Sequence, residues 1–126
     1  MEQGYLIDSN AAIDYLNDKL PGKGASLIDG LVPCISVITR MEIMAWKNAT
    51  PEQTVVLQQF VKASIVYKLD EPVILAAIDI RKNHKVKLPD AIIAATAIVN
   101  ELTLLTRNIS DFSSINKLNV LDPHSL

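Results

Sequence analysis

Residues 87–96 read KLPDAIIAAT, and the apolar run continues through Val99. Nearly every position after Asp90 is apolar, with no polar stripe of the kind that faces water on a surface helix. A helix of this composition belongs in the interior, covered on all sides. Yet one carboxylate, Asp90, stands at its entrance. Either Asp90 caps the helix, where orphan amides and the helix dipole favour an acid, or it has partners elsewhere in the chain.

Working outward from this helix, short apolar runs alternate with longer amphipathic ones. GYLID (4–8) reads as a strand, and AAIDYLNDKL (11–20) as a helix with Ala12, Ile13, Leu16 and Leu20 at helical spacing. LPGKG breaks it, and a short helical turn follows at ASLIDG. VPCISVI (32–38) has the β-branched composition of a buried strand. TRMEIMAWKN (39–48) reads as a helix opened by a Thr39-x-x-Glu42 capping box. Pro51 opens PEQTVVLQQFVKAS, with Val55, Val56, Leu57 and Phe60 facing inward. IVYKL (65–69) is a strand and EPVILAAIDIRKNH (71–84) a helix, while LTLLT (102–106) and LNVLD (118–122) are the last two strands. This alternation implies an α/β fold, with helices on both faces of a mostly parallel sheet of about five strands.

The chain has 126 residues, which suits one domain (1–126) with a single well-buried core. Net charge is −2, so no overall basic field draws in nucleic acid, and any such contact needs a local patch. Arg81, Lys82, Lys85 and Lys87 fall within seven residues just upstream of Asp90. They read first as a solvated helix end with cations near its C-terminal dipole, and otherwise as such a patch. Cys34 is the only cysteine, which rules out an intrachain disulfide and points to a reducing compartment, with the thiol buried and inert. The opening MEQGYLID has no basic, apolar signal pattern, and the longest apolar run is about half of the ~20 residues a membrane span needs. The expectation is a soluble, cytoplasmic protein with no membrane partner.

Parallel α/β sheets carry their functional residues at the carboxyl ends of strands and at adjoining helix starts. Four acids fall there: Asp8 after the first strand, Glu42 in the helix after the second, Asp90 at the buried helix, and Asp111 after LTLLT. Each has a modest reading as a cap or turn residue. Gathered at one sheet edge, however, they would repel one another unless a cation neutralised them or their pKa values rose. Oxygen-only donors suit a hard ion, Mg²⁺ or Mn²⁺. Such a pocket suits phosphoryl chemistry. No phosphate-cradling glycine loop is present, which argues against a nucleotide-dependent kinase and favours a phosphodiester substrate.

YLIDSNAAIDYL, SVITRMEIMAW, KLPDAIIAATAI and LLTRNISDF together resemble the PIN-domain ribonucleases, and among them the VapC-like toxins of toxin–antitoxin pairs. The four blocks span residues 5 to 112 in the family's order. EIMAW departs from the family where members often carry a small residue near the end of that turn. The resemblance implies a three-layer α/β/α sandwich with Asp8, Glu42, Asp90 and Asp111 as catalytic acids, of which Asp8, Asp90 and Asp111 hold the metal. Ser9, Asn10, Thr106 and Asn108 would support the site, and the resemblance leaves open whether Asn108 or Asp111 approaches the metal. It further implies Mg²⁺- or Mn²⁺-dependent endonucleolytic cleavage of RNA such as tRNA or rRNA. Water would attack in line and leave a 5′-phosphate and a 3′-hydroxyl. The usual partners are a cognate antitoxin protein covering the site and a second copy of the chain in a homodimer.

Arg40, Lys47, Arg81, Lys82, Lys85, Lys87 and Arg107 are candidates for contacts to the RNA backbone. Met41, Met44 and Trp46 either line a groove for the antitoxin or, for the two methionines, pack in the core. Two rivals differ in class. A receiver-like phosphoacceptor domain would want paired acids after the first strand and a lysine after a late one, and IDSN and LLTRN supply neither. A catalytically inactive PIN-like binding module would not need all four acids.

Overall fold

A computed structural model of the protein describes residues 4–126; Met1, Glu2 and Gln3, which open both the domain span and the N-terminal reading above, lie outside the described residues. The chain alternates as the sequence implies: β1 (Gly4–Ile7), α1 (Ser9–Leu16), α2 (Gly22–Asp29), β2 (Cys34–Ser36), α3 (Val37–Met44) and α4 (Pro51–Ala63). It continues with β3 (Ile65–Tyr67), α5 (Glu71–Asn83), α6 (Leu88–Val99), β4 (Leu102–Leu105), α7 (Ile109–Phe112) and β5 (Val120–Leu121). The five strands form one sheet in the order β3-β2-β1-β4-β5. Every pairing is parallel. Among the described residues no helix is long and apolar enough to cross a membrane.

Strand alternation divides the interior into two cores. Leu6 and Leu104 point to the face covered by α5 and α6, where they meet Val73, Ala77, Ile80, Ile93 and Phe112. Their neighbours Ile7 and Leu105 point the other way, into a cluster with Ala11, Ala12, Ile28, Ile35, Ile43, Leu57 and Phe60. The β1–β4 register, Leu6 opposite Leu104 and Ile7 opposite Leu105, keeps both alternations in step. The α6 helix is the greasy one because Ala91 to Ala97 are all buried, and its small residues let it lie close to its neighbours. Its buried Thr96 hydroxyl is satisfied within the helix by the Ile92 carbonyl at 2.7 Å.

Four local expectations are corrected. The helix after β2 starts earlier than the Thr39 capping box implied: Ser36 is its N-cap and accepts from the Thr39 amide at 3.1 Å. Strand β2 is therefore short, Thr39 is buried in the helix's first turn, and Glu42 lies one turn further along. A reciprocal capping box does form, between Thr50 and Gln53 at the head of α4. In α4, Leu57 and Phe60 face inward, but Val55 and Val56 are 51% and 41% exposed. Only one stripe of that helix can meet the sheet, and 57 and 60, three residues apart, define it. The short turn expected at 25–30 is a two-turn helix, α2. Cys34 is half-buried rather than fully enclosed, and burial raises its thiol pKa.

The C-terminal segment lies tight against α2 at Gly24. A Cβ there would stand 2.0 Å from the carbonyl oxygen of Pro123 and 3.0 Å from its carbonyl carbon, both backbone atoms that cannot rotate aside. Gly24→Ala is expected to lower unfolding stability by about 1–3 kcal/mol, read as a lower denaturant midpoint at unchanged slope. An unchanged midpoint would show that the tail does not pack there.

Candidate active site

The strand order reverses direction between β1 and β4, because the chain runs outward to β2 and β3 before returning to β1's other side. In open parallel sheets the crevice beyond the carboxyl ends at such a point is where ligands bind. Asp8 and Thr106 occupy that edge, each immediately following its strand.

Asp8 is 5% exposed and is the N-cap of α1. Its Oδ1 accepts from the Ser9 amide at 2.8 Å. Its Oδ2 accepts from the Thr106 hydroxyl at 2.8 Å and the Asn10 side-chain amide at 3.1 Å. Thr106 Oγ1 in turn accepts from the Asn108 backbone amide at 3.1 Å. Despite these donors, burial raises the Asp8 pKa, and the Glu42 carboxylate adds to the rise.

The other acids arrive from three helices. Glu42, exposed on α3, accepts from the Ser9 hydroxyl at 2.6 Å, and Ser9 also reaches Thr39 Oγ1 at 3.3 Å. Asp90 is not the cap of α6: Lys87 holds that position without a side-chain bond, and Asp90 lies in the first turn, half-buried. Its pKa is raised first by burial, then by the charges of Asp8, Asp111 and Glu42, with Lys87 opposing. Asp111 is exposed in the single turn α7, whose N-cap position is Asn108. Of Asn108 and Asp111, the latter is the one whose charge acts on Asp90; Asn108 contributes its backbone amide to Thr106.

Of the candidate cations, Lys87 lies close enough to act on Asp90, and Arg107 is tied to Asp14 at 3.0 Å. Arg81 and Lys82 instead line an apolar groove with Leu69, Ile74, Ile78 and Leu88. Arg40, Lys47 and Lys85 are exposed without a side-chain bond or ion pair among the described residues. Met41 and Met44 are 62% and 42% exposed, which excludes a core role, and Trp46 is partly buried. Sequence reasoning passed over Asp14, which is 6% exposed and shared by Arg107 and His124.

Both ion pairs among the described residues use Asp14, so none neutralises Asp8, Glu42, Asp90 or Asp111. Asp90, with the three carboxylates whose charges act on it, forms a donor set suited in chemistry to a hard divalent cation. As placed, no three His, Cys, Asp or Glu side chains of the described residues close into a coordination shell, so an ion held there would keep waters among its ligands, as Mg²⁺ ordinarily does.

A PIN domain family model matches residues 5–118. The chain is a PIN domain. Among solved structures, a toxin–antitoxin complex from Klebsiella pneumoniae is 28% identical with a TM-score of 0.78, over 98% of this chain and 100% of the other. A DNA-bound VapBC from Salmonella typhimurium is 26% identical with a TM-score of 0.81, over 97% and 99%. FitAcB from Neisseria gonorrhoeae, 24% identical with a TM-score of 0.74 over 97% and 99%, is similar in fold. No curated protein matches the sequence. PIN domains are of nuclease type and generally use divalent metal ions. The fold is that of the VapC toxins, with a five-stranded parallel sheet. Its strand order also separates this PIN domain from a receiver-like domain, whose order is 2-1-3-4-5.

Asp8 and Asp90 each bind a proton more tightly in the folded state than in the unfolded chain. Stability is therefore lost as pH rises from the ordinary value of 3.8 through the raised folded value. Asp90→Asn, which removes one of the repelling charges, is expected to raise the metal-free Tm near pH 7. The gain should vanish below about pH 4, where the wild-type carboxyl is protonated. A lower Tm for the variant near neutrality would refute the repulsion.

Proposed function

We propose that this PIN domain is a Mg²⁺- or Mn²⁺-dependent endoribonuclease toxin of the VapC kind, hydrolysing RNA phosphodiester bonds in the cytoplasm and held inactive by a cognate antitoxin. The observation that carries the reading is the set of four carboxylates at the β1–β4 edge, coupled through their charges and lacking a paired cation among the described residues. Asp8, Asp90 and Asp111 would hold the ion, and Glu42 completes the catalytic acids. When bound, the ion supplies Lewis acidity, lowering the pKa of an attacking water and offsetting charge on the scissile phosphate.

The chain's own residues do the positioning. Asp8 is fixed from three sides by Ser9, Asn10 and Thr106, so one carboxylate is oriented before any ligand arrives. The Ser9 hydroxyl steers Glu42. Asp90 is set by α6, whose buried alanines and isoleucines leave its first turn little freedom. Lys87 supplies positive charge beside this acidic pocket, where an RNA backbone would otherwise be repelled.

The likeness to toxin–antitoxin complexes supports an antitoxin partner. Exposed Met41 and Met44, on the same helix as Glu42, offer an apolar surface beside the carboxylates for it. A homodimer is part of the same reading.

The test is incubation of the purified protein, free of antitoxin, with total cellular RNA and Mg²⁺. Discrete fragments are expected, absent with EDTA, and reduced at least ~100-fold in rate for Asp8→Asn and Asp90→Asn. Intact RNA with folded wild-type protein, or cutting that survives EDTA, would sink the proposal.

A further inference from the structure

Asp14 is a buried carboxylate that the carboxylate cluster does not use. It projects from α1 with its side chain 9% accessible, and its Oδ2 takes two partners: Arg107 Nη1 at 3.0 Å and His124 Nε2 at 2.9 Å. A buried acid needs such partners. Their origin is informative, since Arg107 follows β4 and His124 lies in the tail after β5. The tail is itself pinned, by Pro123 against Gly24 and by the His124 amide on Asp122 Oδ1 at 2.9 Å.

Arg107 is held at two points. Its backbone amide donates to Asn10 Oδ1 at 3.0 Å, and its guanidinium is fixed by Asp14. Asn10 and Thr106, the groups on either side of this anchor, both bond Asp8 Oδ2. The guanidinium side chain remains 53% exposed. A guanidinium has five N–H donors, and its link to Asp14 uses one nitrogen. The other donors take no partner among the described residues, on a residue that directly follows Thr106 at the acidic edge.

We propose that Asp14, backed by His124, is a positioning residue that presents Arg107 to a phosphate of the RNA backbone next to the carboxylates. This rests on the ribonuclease reading above. A planar fork held at one edge is pre-organised to receive a phosphate at the other, which a mobile arginine on a loop would not be. The contact lies outside the cleaved bond, so it strengthens ground state and transition state alike and registers in KM.

The test uses the full-length protein and an RNA oligonucleotide spanning the cut site mapped in total RNA. Arg107→Ala is expected to raise KM about tenfold with kcat within about twofold. Asp14→Asn, which keeps the shape but loses the charge, should raise KM about fivefold, and His124→Ala less. In the double variant Asp14→Asn/Arg107→Ala, KM should equal that of Arg107→Ala alone, because Asp14 acts through Arg107. Loss of the contact should also flatten the slope of log kcat/KM against log salt by about 0.7.

A merely structural Asp14 would lower Tm and leave KM unmoved, or add its own effect in the double variant; either result overturns the inference. An unchanged KM in Arg107→Ala overturns it while the ribonuclease reading stands. Wild-type protein that cuts no RNA removes both.

Discussion

The structure depends on the parallel pairing of β1 with β4, two strands separated by most of the chain. Their register sets Ile7 beside Leu105, and the next residue on each strand, Asp8 and Thr106, meets through a 2.8 Å hydrogen bond. Everything chemical at this edge follows from that junction. Asn10 bridges it, Ser9 extends it to Glu42 on α3, and Arg107 leaves it toward Asp14. Because the strand order reverses here, no crossing helix of the described residues runs between these two strands, and an acidic crevice can open to solvent.

Holding this junction costs electrostatic energy. A carboxylate 5% exposed, its pKa raised by burial and further by Glu42, is a poor way to stabilise an empty fold. The hydrogen bonds from Thr106, Ser9 and Asn10 offset part of that cost. The remainder of the support comes from apolar packing on both sides, above all from α6, whose buried face anchors Asp90's turn. The opposition between a greasy helix and the acid at its entrance thus resolves: the core supplies the rigidity that the charges work against. Local strain of this kind, kept in place by the surrounding structure, is usual where a site is built for a ligand.

Much of this was legible in the residues. The five strands were found because β-branched and leucine runs are short and bounded, and the buried helix because its apolar residues leave no polar face. The four acids stood out because they close apolar elements, a position that topology turns into proximity. What escaped is equally physical. Ser36 outcompeted Thr39 as a cap because a strand running into a helix hides its boundary inside one apolar run. The phase of α4 could not be read from VVL, since three consecutive apolar residues fit more than one stripe. Asp14 lies within the AAIDYLNDKL helix and closes no apolar element, and its partners are 93 and 110 residues away. The one available hint was its helical spacing from Ala11, which places it on an inward face.

The central claim, that the β1–β4 edge is a divalent-cation site, is tested most directly by crystals soaked in Mn²⁺ and measured for anomalous scattering. An anomalous peak is expected between the Asp8 and Asp90 carboxylates, lost in Asp90→Asn crystals. Density confined to other acids such as Asp122, or no peak with both carboxylates ordered, would contradict it.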